Sequence, residues 1–254
     1  MPLGTDLVSR PSRLTERISS YSGVVRPTLR DRLPEVAAAA CTAFIEKGYR
    51  RTHVSDVASR LGLSQGAVYG YVESKEALFA LALTHAIGSP PLDALELPVR
   101  DPGPDALLEP LTAWEPKDSF PLLTKALRTK QPGDVATEFG GIVDELFGVL
   151  ERNRLFLSLV ERSAQDLPEL ADLYFGQLRS GQVSDLETYV SLRVRRGHFR
   201  DVPDVGIATR FVVETVAWFA WHRMDDREAH SLDAQLARAS VRQLVVDALV
   251  PGKP

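Results

Sequence analysis

The amino-acid sequence predicts an all-α protein in two parts, a small N-terminal three-helix unit followed by a larger helical domain. Three observations predict it. Apolar residues recur at helical spacing through most of the chain, glycines and prolines fall between the periodic runs, and no stretch alternates apolar and polar residues as a half-buried strand does. With 254 residues, 44% of them hydrophobic and 25% charged, the chain can fill one large or two modest domains without covalent staples. Its single cysteine, Cys41, excludes an internal disulfide.

Residues 1–30 read as a basic extension carrying Arg10, Arg13, Arg17, Arg26 and Arg30, either a solvated arm or a short helix around Ser12 to Tyr21. Such an arm can reach phosphates beside a main DNA contact. A first helix is expected from about Arg32 to Lys47, with Pro34 tolerated in its first turn and Gly48 ending it. Leu33, Val36, Ala37, Ala40, Cys41 and Phe44 form its buried stripe. Arg50 and Arg51 follow, then Thr52, whose hydroxyl is expected to cap the next helix or bind phosphate.

Between about Val54 and Leu61, the residues Val54, Val57, Ala58 and Leu61 share one helical face. Gly62 can take the left-handed conformation that ends this helix, and Ser64 can cap the next, Gln65 to Tyr71. Two short helices around such a break describe a helix-turn-helix. Gly66, Ala67 and Gly70 permit close backbone approach to another surface, while Gln65, Tyr69 and Tyr71 supply polar tips. That face suits a DNA groove. A fourth helix begins at Ser74, with Lys75 at its positive end facing the DNA backbone, and runs to about Ile87. The DNA-binding domain is accordingly placed at 31–75 and the second domain at 76–254.

These residues carry a resemblance. Phe44, Gly48-Tyr49, Thr52, Val57-Ala58, Gly62-Leu63-Ser64, Gly66, Tyr69, Lys75 and Leu78 stand in the order found in the TetR/AcrR family of bacterial transcriptional regulators, which the N-terminal part of the chain resembles. Gly70, where that family often has His, and Val72, where it usually has Phe, depart from the pattern. The resemblance implies a homodimer through the last two helices, a small-molecule pocket in the second domain, and a repressor released from a pseudo-palindromic operator by its ligand. The expected DNA-facing set is Arg51, Thr52, Ser64, Gln65, Gly66, Ala67, Tyr69, Gly70, Tyr71 and Lys75.

Prolines at 90, 91, 98, 102 and 104 make the next segment a linker. Helices are then expected at about Asp105–Trp114, Ser119–Thr129, Asp134–Arg152, Arg154–Gln165, Pro168–Arg196, Val205–Met224 and Leu232–Leu249. Val205–Met224 is apolar on nearly every side, so it must be enclosed by protein, either within one subunit or with one face on its own core and the other on a second copy. Aromatic and polar residues interleave on the middle helices, and Trp114, Phe147, Glu161, Tyr174, Gln177 and Trp218 are the candidate ligand contacts. Gly176 and Gly181 leave room there for a ligand or a partner helix. The competing reading is a DNA-binding dimer whose second domain only dimerises.

Charge is divided along the chain. Residues 1–85 hold 11 Lys plus Arg against 8 Asp plus Glu, and the remainder holds 19 against 26, which gives the overall −4 and points the N-terminal end at phosphate. An enzyme is disfavoured: the five histidines are scattered, and no HExxH, paired CxxC, GxSxG or glycine-rich phosphate loop occurs. No cofactor is expected. With neither a signal peptide nor a membrane span to be read, the expected location is the cytoplasm.

Overall fold

The computed structural model describes residues 28–112, 120–229 and 231–252. Helix α1 (Leu29–Lys47) starts three residues before the sequence suggests, because Thr28 and Asp31 form a capping box: the Thr28 hydroxyl accepts the Asp31 N–H at 3.2 Å and Asp31 accepts the Thr28 N–H at 2.8 Å. The cap outweighs the cost of placing Pro34 beyond the first turn. Helices α2 (Val54–Leu61), α3 (Gln65–Val68) and α4 (Lys75–Ile87) complete the head. Cys41 is fully buried and its thiol donates to the Ala82 carbonyl at 3.1 Å, joining α1 to α4. Phe44, Tyr49 and Phe79 pack edge-to-face or stacked with centroids 5.0–6.0 Å apart.

The proline-rich segment after α4 folds back onto the head. Leu92, Leu95, Leu97 and Val99 pack against its core, the Arg30 guanidinium holds the Asp93 carbonyl, and Val99 exchanges backbone hydrogen bonds with Tyr71 and Glu73 at 2.7 and 3.0 Å. Short helices α5 (Gly103–Ala106) and α6 (Glu109–Thr112) follow. The body consists of α7 (Pro121–Arg128), α8 (Val135–Arg152), α9 (Arg154–Ala164), α10 (Pro168–Ala171), a π-helical segment Asp172–Arg179, α11 (Ser180–Arg195), α12 (Val205–Ala220) and α13 (Ala234–Leu249). Strands are absent among the described residues apart from the isolated bridge of Val72 with Val99, so the fold is all-α as expected. No described helix is long and apolar enough to cross a membrane.

Two apolar cores organise these helices. The first joins α1–α4 to α6, α9 and α10, and the second joins α7, α8, α11, α12 and α13. Leu150, near the end of α8, packs against both. The helix expected at Pro168–Arg196 is continuous in path but π-wound through 172–179. Gly176 and Gly181 close no packed contact there, since a Cβ at either meets nothing within 4 Å. Arg193, in the last turn of α11, is completely buried and serves another helix. Its guanidinium donates to the Ala126 and Thr129 carbonyls at 3.1 Å, ending α7, and to Glu138 Oε1 at 2.8–2.9 Å, which also accepts the Tyr189 hydroxyl at 3.0 Å.

Candidate nucleic-acid interface and body cavities

The helix-turn-helix is built by local backbone chemistry. At the end of α2, Gly62 lies at φ +65°, its N–H donates to the Ser59 carbonyl and the Leu63 N–H reaches back to Ala58 at 2.9 Å, the double bond of a Schellman motif. Ser64 then caps α3 by accepting the Ala67 N–H at 3.1 Å. An ion pair of 2.7 Å between Lys47 and Asp56 fastens α1 to α2, and with the His53 N–H it holds the Asp56 carboxyl below its ordinary range.

Several expected contact residues are presented outward. Ser64, Gln65, Gly66 and Tyr69 are exposed, and a Cβ on Gly66 would find no neighbour closer than 4.0 Å, so the backbone there is open to close approach. Ala67 is half-buried on the same short helix. Arg51 is exposed, with its Nε donating to the Lys47 carbonyl at 2.9 Å at the end of α1.

Three expectations change, and Lys75 gains a second contact. Thr52 is fully buried, and its hydroxyl donates to the Ala43 and Gly48 carbonyls at 3.1 and 2.8 Å, so it neither caps α2, which begins after His53, nor faces phosphate. Tyr71 is only 3% exposed, because the chain leaves α3 after Val68 through tight turns that carry Tyr71 into the core beside Val72. Gly70 is closed in by the Ala67 carbonyl, 3.2 Å from where a Cβ would sit, and by Leu29; its small size serves the turn rather than a groove. Lys75 is partly buried, with Nζ donating to the Arg50 carbonyl at 3.0 Å and standing 4.7 Å over the Tyr49 ring, and burial lowers its pKa. Since an ammonium has three donors, its clamp on the Arg50 loop leaves donors for a phosphate.

Two small cavities lie where the two cores meet. One, of about 60 Å³, is walled by residues of α7, α8, α11 and α12 such as Leu123, Ile142, Leu146 and Leu186. The other, of about 70 Å³, lies among Glu161, Phe175, Ala217, Trp221 and His222. Leu150, Tyr174, Arg179 and Val213 line both. Burial pushes the Tyr174 phenol up to about 12, so it stays neutral and can donate.

Of the expected ligand contacts, Tyr174 and Glu161 reach these cavities and three do not. Phe147 is sealed in the second core beneath the Arg238 guanidinium, 5.3 Å from its ring centroid. Gln177 is exposed on the π-helical segment. Trp218 is exposed on the outer face of α12 beside Phe219. Trp114 and the arm at residues 1–27 lie outside the described residues. Arg179, Gln182 and Leu150 were missed: Arg179 lies on the π-wound segment, whose winding no spacing rule anticipates, whereas Gln182 on α11 and Leu150 on α8 reach the cavities through tertiary packing.

The outer face of α12 is left uncovered by the described residues. Ile207, Phe211 and Trp218 are 72, 50 and 37% exposed along one stripe, and Leu232, Leu236 and Leu244 at and along α13 are 47, 69 and 67% exposed. The inner face of α12, Thr209, Val212, Val213, Val216, Ala217 and Ala220, is buried.

Residues 36–82 match the family described as bacterial regulatory proteins, tetR family. No curated protein matches the chain. Among solved structures, the ketosteroid transcriptional regulator KstR2 of Mycobacterium tuberculosis is 18% identical, with a TM-score of 0.55 over 89% of this chain and 98% of that one. The probable transcriptional regulatory protein RHA5900 is 20% identical, with a TM-score of 0.54 over 87% of this chain and 100% of that one. At such identities the likeness is one of fold.

Proposed function

We propose that this chain, a transcriptional regulator of the TetR family with an N-terminal DNA-binding domain and no enzymatic role, works as a homodimeric repressor released from a pseudo-palindromic operator by a small molecule. The observation that carries the reading is a complete helix-turn-helix with Gln65, Gly66 and Tyr69 outward, in a chain whose α12 and α13 leave an apolar stripe uncovered. Large apolar patches on a soluble chain mark interaction surfaces, and a second copy covers this one by twofold symmetry as a four-helix bundle. Gln65 and Tyr69 touch bases or adjacent phosphates, while Arg51 and Lys75 fix the backbone. Operator binding puts its work in the cytoplasm.

The effector acts at the seam between the cores, where occupation shifts the head's core against the dimer's core. Ligand pockets commonly hold about 300–1,000 Å³. Cavities of about 60 and 70 Å³ fall short of that, so on this reading a ligand has to widen them. The same small volumes favour the second reading, a DNA-binding dimer without an effector. Light scattering and gel shift on DNA flanking the encoding gene test the proposal: the wild type runs as a dimer and shifts the fragment, and Phe211→Glu becomes monomeric and loses the shift. A wild-type monomer that still binds contradicts the dimeric reading.

A further inference from the structure

The apolar cavity carries an uneven set of polar groups. Its lining among the described residues contains Arg179, Gln182 and the Tyr174 phenol, and no carboxylate. Glu161, Glu214 and His222 line only the neighbouring cavity. Arg179 is already engaged: its Nη2 donates to Glu214 Oε1 at 3.0 Å, and the same oxygen lies 3.2 Å from Arg210 Nη1. Glu214 stands half exposed on α12, one helical turn from Phe211 and another from Trp218, within the uncovered stripe.

From this arrangement we propose that the effector is an amphipathic monoanion, an apolar carboxylic acid whose head group takes Arg179 from Glu214 while its hydrocarbon body enters the apolar cavity. The inference deepens the ligand-responsive reading above and rests on it. A cation entering the apolar cavity meets the guanidinium and finds the nearby Glu214 carboxylate already held by Arg179 and Arg210. An uncharged body leaves the Arg179–Glu214 pair in place and gains only apolar contact. The exchange is inexpensive, because an ion pair between partly exposed groups is weak, whereas a guanidinium holding a ligand's acid beside apolar walls is screened less. Tyr174, Leu150, Arg179 and Val213 line both cavities, and the π-wound segment that carries Tyr174 and Arg179 is the irregular part of the wall. Once released, Glu214 keeps Arg210 but loses its tie to the π segment, so occupation of the cavity is reported to the dimer-facing side of α12.

Full-length protein is titrated with decanoate, decanol and decylamine, following melting temperature and operator binding. Decanoate is expected to bind at least about tenfold more tightly than decanol, the margin of a charge-assisted hydrogen bond. Arg179→Gln is expected to erase that preference. Glu214→Gln removes the competitor for Arg179 and is expected to tighten decanoate by up to about fivefold. Equal or tighter binding of decanol or decylamine, weaker decanoate binding in Glu214→Gln, or no binding by any of the three overturns the proposal. Operator release by decanol or decylamine overturns the acid while sparing the ligand-responsive reading, and Arg179-dependent decanoate binding with the operator retained overturns that reading while sparing the site.

Discussion

The Asp166 carboxylate, in the turn after α9, accepts the backbone N–H of Arg50 at 2.9 Å. The carbonyl of the same Arg50 is held by Lys75, so the loop between α1 and α2 is gripped from the body on one side and from α4 on the other. Gly48 makes the approach possible: it lies at φ +81°, and a Cβ there would sit 2.7 Å from Asp166 Oδ2. Asp166→Ala is expected to accelerate hydrogen exchange at the Arg50 amide while leaving the amides inside α1 and α2 protected. Acceleration throughout the head would instead make Asp166 a support of the whole domain.

Lys75 has a second expected role at phosphate. Lys75→Ala should weaken binding to all DNA sequences alike and lower the salt slope by about one. An altered base preference would assign it to base reading.

Tyr69 and Thr52 are expected to separate binding from folding. Tyr69→Ala, at an exposed site, should lower operator affinity with little change in melting temperature. Thr52→Val deprives two carbonyls of their donor and should cost about 1–3 kcal/mol of stability. Chemical denaturation of both variants alongside operator titration checks the pair; a destabilised Tyr69→Ala with unchanged affinity would reverse the assignment.

Arg193 is the buried charge on which α7, α8 and α11 converge. Arg193→Ala strands the Glu138 carboxylate and frees the α7 carbonyls, an expected loss of about 3–5 kcal/mol in urea unfolding. A loss below about 1 kcal/mol would place the pair among weak surface bridges.

Gly181→Ala should raise stability by up to about 1 kcal/mol, since the added methyl meets open space on a helix. A lower melting temperature would show that the flexibility of Gly181 belongs to the native state.

The sequence was most legible where structure is local. Gly62, Ser64 and the apolar spacing of Val54, Val57 and Ala58 specify the helix-turn-helix within a few residues of its own chain, and the structure follows them. The uncovered face of α12 was legible for a related reason: a helix apolar all round needs two covers, and one copy supplies one. Burial decided by tertiary contact was not legible. Thr52 and Tyr71 carry polar tips that suit DNA, but the carbonyls of Ala43 and Gly48 and the Val99 bridge claim those positions. The cavity lining was half readable, with Tyr174 and Glu161 found and Arg179 missed, because the π-winding shifts which residues share a face.

Selection of genomic DNA fragments by the full-length protein decides whether it reads DNA as a symmetric dimer. One enriched pseudo-palindrome is expected, with half-sites centred about 34–36 Å apart on one side of the duplex, whose enrichment disappears in Phe211→Glu. Enrichment of a single unrepeated site, unchanged in Phe211→Glu, would contradict the symmetric dimer.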